Sequence, residues 1–290
     1  MDNIGGTKHM LVLKGNEIRN KWIEELKEKL TTSINFNILR IKGETPRDIE
    51  AFNSSVHYIN GIKDVASQIG IHTHVHDIKD ISCLQRSLGH IIRAEQRQVG
   101  RNVRVIVRPL PESFDERMAF SITQQYLDRA NDVDCISADM MGLFHTGVKN
   151  IAPATPTAIM KLLEGYDISV AGKTVCIIGR SNVIGRPMAE LILRADGTPI
   201  ICHTKTKELP RLCKSADIII SGAGTPGLID DTMVTKNSVV IDAGLEVVNG
   251  KIVGDVDRDK VGEIPYALSP VPGGVGSLTT VALMANALNI

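Results

Sequence analysis

The segment TVCIIGRSNVIGRP, residues 174 to 187, ends an apolar run on Gly179 and opens a helical pattern at Gly185. A strand, a glycine turn and a helix N-terminus offer a phosphate backbone N–H groups and the positive end of a helix dipole. The spacing is G-x-S-x-x-x-G rather than the three-glycine dinucleotide fingerprint, so an ordinary tight turn stands beside the cofactor-loop reading. Arg180 projects from this turn, and CHTKT (202–206) ends the next strand. That second position commonly reads the ribose: a carboxylate suits a free 2′-hydroxyl, and cations with hydroxyls suit a 2′-phosphate. Thr204, Lys205 and Thr206 stand there without a carboxylate, which favours NADP over NAD.

A second chemical candidate is SSVHYINGIKDVASQIGI, residues 54 to 71, a helical pattern with a single lysine, Lys63. Each residue of an ideal helix turns about 100°. Tyr58 and Ile62 therefore share a face, and Ile59, Ile62, Ala66 and Ile69 make one apolar stripe that excludes Lys63 and Asp64. The spacing reads Lys63 as a solvated lysine; a one-residue bulge near Gly61 is the geometry that would bring it round. HTHVH puts His72, His74 and His76 on one strand face, a spacing open to a metal. No local carboxylate or cysteine cluster joins them, and Asp77 points the other way, so an exposed histidine face is expected. His57 sits beside Tyr58 as a surface histidine or a polar group at a pocket rim. His203 ends a strand as a cap beside the cofactor turn. Glu112 and Asp115 read as acids at a helix N-terminus, where they complement the dipole.

The elements that carry these residues alternate. NEIRNKWIEELKEKL is an amphipathic surface helix, and NFNILRI, IHTHVHDI and VRVIVRPLP read as strands. Helical stretches follow Pro46 and occupy SCLQRSLGHIIRAEQRQ and DERMAFSITQQYLDRA. This βα alternation predicts a parallel sheet with helices on its faces. After the turn-rich NIAPATPTA the alternation restarts with helix TAIMKLLEGY, strand KTVCIIG, helix IGRPMAELILRAD, and strands TPIICH, ADIIISG and SVVIDAG. These β-branched strands suit a sheet covered on both faces. SLTTVALMANAL is a final helix. The fold class is α/β.

Composition narrows the function classes. The 290 residues suggest two domains, with 43% hydrophobic and 23% charged residues. Lys+Arg and Asp+Glu balance at 33 each, which leaves no footprint for nucleic acid or an anionic membrane. Aromatics at 3% argue against a single-strand stacking platform. No apolar run reaches a membrane span, and MDNIGGTKHM lacks a signal-peptide core. Five cysteines without a CxxC pair read as reduced thiols of a cytoplasmic protein.

Taken together, GRSNVIGRP (179–187), CHTKT (202–206), NDVDCISADMMG (131–142), PATP (153–156) and SPVPGGVGSLT (269–279) carry a resemblance. With LVLKGNEI and VRPLPES they make nearly the whole chain resemble the methylenetetrahydrofolate dehydrogenase/cyclohydrolases of one-carbon metabolism. The resemblance implies two α/β domains flanking a cleft, the C-terminal one a Rossmann-type doubly wound parallel sheet, in a homodimer. It implies a folate-binding domain of residues 1–150 with 272–290 and an NADP-binding domain of residues 151–271. The implied reaction oxidises 5,10-methylenetetrahydrofolate to the methenyl form and then hydrolyses that to 10-formyltetrahydrofolate, with no metal. Arg180 and Ser181 would meet the NADP phosphates, with Thr204 beside the 2′-phosphate and His203 and Lys205 as neighbours. Ser55, Tyr58, Pro109 and Asp134 would bind folate, Asp134 holding the N–H edge of the pterin. Pro270, Pro272, Gly273 and Gly274 would wall the ring.

The chain also departs from that pattern. Counted back from Gly70, Ser55 and Tyr58 match the family's Ser-x-x-Tyr-Val-x-x-Lys, and the lysine position holds Ile62. Val107 holds the position of the partner glutamine. Cys135 replaces a glycine, Ala154 a cysteine and Ser277 a proline. Hydride transfer mainly needs the donor carbon held against the nicotinamide. Cyclohydrolysis needs water attack and proton movement, and isoleucine and valine exchange no protons. Losing positioned acid–base catalysis costs about 10²–10⁴ in rate. The expectation is a dehydrogenase with its cyclohydrolase weakened or lost. The alternatives are full bifunctionality through a displaced Lys63, or an inactive paralogue that binds NADP or a pterin.

Overall fold

The computed structural model describes residues 9–42, 45–78, 102–107, 132–148, 151–248 and 250–289, with isolated positions of a helical stretch between 83 and 93. Pro109, Glu112, Asp115 and the expected helix from 115 to 130 lie outside the described residues, and Val107 is described through its backbone alone. The chain divides into two compact units, residues 1–19 with 155–279 and residues 20–154 with 280–290.

The first unit is built on a six-stranded parallel sheet in the order β1-β11-β8-β7-β5-β6. Its strands are β1 (Leu11–Val12), β5 (Thr174–Ile178), β6 (Thr198–Cys202), β7 (Ile218–Ser221), β8 (Val239–Asp242) and β11 (Ala267–Leu268). β7 and β8 are buried at every position, as their β-branched sequences require of strands covered on both faces. The β5–β6 and β5–β7 pairs put successive strands on opposite sides of β5, so the strand order reverses between β5 and β7. Crevices for ligands form outside the carboxyl ends of strands at such a reversal. An antiparallel hairpin of β9 (Glu246–Val248) and β10 (Lys251–Val253) follows β8.

Strand β1 adds to the six-stranded sheet. Leu11 pairs with Ala267 and Val12 with Leu268. The Tyr166 hydroxyl fastens this segment, accepting from Lys14 N–H at 2.8 Å and donating to the Lys14 carbonyl at 3.0 Å. Two residues carry no periodicity, so only their tertiary partner reveals such a strand.

The second unit holds a three-stranded parallel sheet, β3-β2-β4, from β2 (Ile34–Ile41), β3 (His72–Ile78) and β4 (Asn102–Val107). Helix α1 (Asn16–Lys29) enters this unit and buries Trp22, Ile23 and Leu26. Helix α2 (Pro46–Ile69) buries Ile59, Ile62, Val65, Ala66 and Ile69, so the apolar stripe is its packing face. Arg40 on β2 lies 3.9 Å over the Phe52 ring and pairs with Asp77 of β3 at 3.4 Å. His72 and His74 are exposed, and His76 Nε2 meets Asn37 Oδ1 at 2.9 Å. Among the described residues no group of three histidines, cysteines or acids could hold a metal, and no helix is long and apolar enough to cross a membrane.

Three further helices are α3 (Ala138–His145) in the second unit, α4 (Ala154–Gly165), and α5 (Gly185–Arg194) in the first. Beyond them come α6 (Leu209–Ser215), the short α7 (Arg258–Val261) and the final α8 (Gly276–Leu288). Cys176, Cys202 and Cys213 are free thiols packed together behind β5 and β6, with both sulfur pairs at 3.7 Å. Burial and the Cys176 neighbour push the Cys202 thiol up to about 12. These thiols are core packing, not nucleophiles.

Candidate functional site

The glycine turn after β5 is set by close approach. Gly179 has φ +116°, and a Cβ there would sit 2.8 Å from the Gly222 carbonyl oxygen. A Cβ on Gly185 would strike the Gly179 carbonyl. Two glycines are therefore dictated by backbone crossing backbone. The Gly179 N–H donates to the Cys202 carbonyl at 2.9 Å, which joins the turn to the end of β6. Ser181 Oγ accepts the Ile184 N–H at 3.1 Å, and its carbonyl accepts the Arg186 N–H at 3.1 Å. The Arg180 and Ser181 residues are exposed above the start of α5.

The turn after β6 is built around His203. Its N–H donates to Thr206 Oγ1 at 2.9 Å, and its carbonyl accepts the Thr206 N–H at 2.8 Å. Its Nδ1 accepts the Lys205 N–H at 3.1 Å, so this ring nitrogen presents a lone pair. Thr204 and Lys205 stay exposed, with no carboxylate in the turn. A cradle that only glycine fits, a helix N-terminus, and a cation with hydroxyls at the end of β6 fit a phosphorylated dinucleotide.

Two buried acids, missed in the sequence, hold the next loop. Asp255 Oδ2 accepts from the Ser221 hydroxyl at 2.6 Å and the Ala223 N–H at 2.8 Å, and Oδ1 from the Thr225 N–H at 2.7 Å. Asp242, at the end of β8, accepts from the N–H groups of Gly244, Asp255 and Val256, each at 3.0 Å. Burial pushes the Asp242 carboxyl up, and repulsion from Asp255 adds to the rise. The available signal was an aspartate closing the apolar VVID, followed by GDVD at 254–257: Cβ atoms on Gly244 and Gly254 would collide with these carboxylates.

The loop of Pro270, Pro272, Gly273 and Gly274 also belongs to the first unit. Gly273 has φ +103°, and its carbonyl accepts the Gly15 N–H at 2.9 Å. A Cβ on Gly274 would lie 2.6 Å from the Pro270 carbonyl oxygen. Ser277 donates its hydroxyl proton to the Gly274 carbonyl at 2.6 Å, a local bond the family's proline could not make.

In the second unit, Asp134 sits in a tight turn and is 5% exposed. The Asp132 carboxylate below it accepts N–H groups of Asp134 at 3.2 Å, Ile136 at 3.3 Å and Ser137 at 2.8 Å. Burial nevertheless pushes the Asp132 carboxyl above the usual range. Asp134 Oδ1 accepts the Ala154 N–H at 3.4 Å. Asn286, on α8, donates to the carbonyls of Val133 and Ala152, both at 2.8 Å. It thus fixes the chain on both sides of Asp134, a role hidden in the apolar ALMANAL pattern. Cys135 takes φ +51°, the conformation for which its glycine counterpart is suited, and its thiol donates to the Ile151 carbonyl at 3.1 Å.

On α2, Ser55 donates its hydroxyl proton to the Phe52 carbonyl at 2.7 Å within its own helix. Tyr58 is half-buried, Ile62 is 0% exposed and Lys63 is exposed. The helix is unbroken from Pro46 to Ile69, so no bulge at Gly61 turns Lys63 inward. Gly61 instead faces Thr280, whose Cγ2 would lie 3.6 Å from an added Cβ.

Ser55, Tyr58, Ile62 and Asp134 thus belong to the second unit, and the glycine turn, His203–Lys205 and Pro270–Gly274 to the first. An open depression of about 420 Å³ lined by Met160, Leu163, Glu164, Ile168, Val170 and Ala195 contains none of them. It meets the far end of α5 from the glycine turn.

Residues 153–290 match the family model of the tetrahydrofolate dehydrogenase/cyclohydrolase NAD(P)-binding domain. The bifunctional protein FolD of Clostridium perfringens is 40% identical over 233 residues, covering 80% of this chain and 82% of the relative. The crystal structure of a bifunctional 5,10-methylenetetrahydrofolate dehydrogenase/cyclohydrolase from Thermoplasma acidophilum superposes with a TM-score of 0.83 at 30% identity, covering 96% of this chain and 97% of that one. A Trypanosoma brucei methylenetetrahydrofolate dehydrogenase-cyclohydrolase, solved with NADP cofactor and an inhibitor, gives 0.81 at 26% identity, with 97% of each chain covered. With its NAD(P)-binding domain, its parallel sheet and these relatives, the chain belongs to the FolD family of methylenetetrahydrofolate dehydrogenase/cyclohydrolases.

Proposed function

We propose that this protein is an NADP-dependent methylenetetrahydrofolate dehydrogenase whose cyclohydrolase step is weakened or lost. The observation that carries this reading is Ile62, wholly buried one turn beyond Tyr58, at the position where the family pattern has lysine. An aliphatic side chain there neither delivers nor accepts a proton. NADP supplies the hydride acceptor. The protein's share of that step is placement, and the residues for placement are present. Gly179, Arg180, Ser181 and Gly185 would hold the phosphates, with Thr204 and Lys205 against the 2′-phosphate. Asp134, as a carboxylate, would take paired N–H···O bonds from the pterin edge, which are short and directional.

Hydrolysis of the methenyl product differs because water must be activated while the ring opens. Without the lysine or its glutamine partner, general acid–base assistance worth about 10²–10⁴ in rate is missing. The relatives are named as bifunctional, which favours the full two-step reaction as a second reading. The test of the first step is direct: supply methylenetetrahydrofolate and NADP and follow NADPH. Steady NADPH formation supports the dehydrogenase, and none, with NADP still bound in a titration, points to a binding paralogue.

A further inference from the structure

The strand order locates a role for Asp255 that the reaction's known parts do not assign. A dinucleotide whose pyrophosphate lies on the glycine turn after β5 and whose adenosine ribose is read at the end of β6 must run the other way, across the order reversal, toward β7 and β8. The loop after β7, from Gly222 to Thr225, is therefore the second wall of the crevice. It touches the first wall directly, since the Gly222 carbonyl oxygen lies where a Gly179 Cβ would otherwise be. Asp255 shapes this wall through three hydrogen bonds, from the Ser221 hydroxyl and the N–H groups of Ala223 and Thr225.

The Asp255 side chain accepts in all three bonds and donates in none, the pattern of an ionised carboxylate. It is 1% exposed, and it forms no ion pair among the described residues. A buried anion without a counter-cation projects its field into the adjacent crevice. The nicotinamide ring is positively charged when oxidised and neutral when reduced. We propose that Asp255 positions the loop 222–225 against the nicotinamide half of the cofactor and, through its charge, favours the oxidised over the reduced form. This inference rests on the cofactor reading above.

Calorimetric titration of the intact protein with NADP⁺ and with NADPH, without folate, tests it. Asp255→Asn removes the charge, and its amide nitrogen cannot accept from a loop N–H, so both affinities should fall, with the ratio Kd(NADP⁺)/Kd(NADPH) rising about three- to tenfold. Thr225→Lys adds a cation on the exposed side of this same wall, beside Asp255, and it should move the ratio the same way if Asp255→Asn fails to fold. Ser221→Ala loosens the loop but keeps the charge, so it should weaken both forms by a similar factor. An unchanged ratio in both charge variants overturns the electrostatic role, and unchanged Kd values in all three overturn the positioning role too. A wild-type protein that binds neither form removes the cofactor reading and this inference together. Normal binding without dehydrogenase activity sinks only the proposed reaction.

Discussion

Ile62 and Lys63 are neighbours on α2 and opposite in environment: the isoleucine is completely buried and the lysine faces solvent. The helix is continuous through both, so one side chain cannot take the other's place without unwinding a turn. Replacing Lys63 with methionine should leave both reaction rates within about twofold of wild type, since surface substitutions away from a site change little. Placing lysine alone at position 62 should cost about 2–4 kcal/mol in urea unfolding, because a cation would be buried without a partner. A large loss of activity in Lys63→Met would return the lysine to the mechanism.

Cys135 holds a left-handed backbone conformation that costs a non-glycine residue about 1–2 kcal/mol. Its buried thiol, bonded to the Ile151 carbonyl, offsets part of that strain. Cys135→Ala keeps the strain and loses the thiol, whereas Cys135→Gly loses both. The glycine variant should be the more stable of the two by about 1 kcal/mol in denaturant midpoints. The reverse order would mean that the turn does not require this conformation.

Gly179→Ala should be severe for two independent reasons, a φ of +116° and a Cβ 2.8 Å from the Gly222 carbonyl oxygen. A loss of about 2–4 kcal/mol in stability is expected, with NADP affinity falling at least about tenfold as the two loops part. Thermal melts and a titration measure each effect separately.

Asp132 gives a pH dependence of defined sign. Burial raises its folded-state pKa above the ordinary 3.8, so the native protein binds this proton more tightly than the unfolded chain. The stability it contributes is full below that ordinary value and is lost as pH rises through the raised one. The stability of wild type minus that of Asp132→Asn should therefore grow as pH falls from about 8 toward about 4. A flat or inverted difference between the two proteins would contradict the assignment.

Much of this architecture is legible in residue order. The β-branched runs of β5, β7 and β8 announce a covered parallel sheet, and the stripe Ile59–Ile62–Ala66–Ile69 identifies the packing face of α2 before any contact is known. Gly179 and Gly185 mark a turn through spacing alone. Features that depend on distant partners are not legible in this way. Val12 becomes a strand only because Leu268 lies beside it. Asp242 and Asp255 are thirteen positions apart and meet only once a hairpin has closed between them. Asn286 looks like an interruption of an apolar helix until the carbonyls of Val133 and Ala152 supply its purpose.

The fate of the methenyl product separates a dehydrogenase alone from the two-step enzyme. 5,10-Methenyltetrahydrofolate supplied directly to the protein, with NADP present, should decay at close to the rate set by buffer alone. Ile62→Lys combined with Val107→Gln should accelerate that decay. Wild-type protein that hydrolyses the methenyl compound well above the buffer rate would contradict the account.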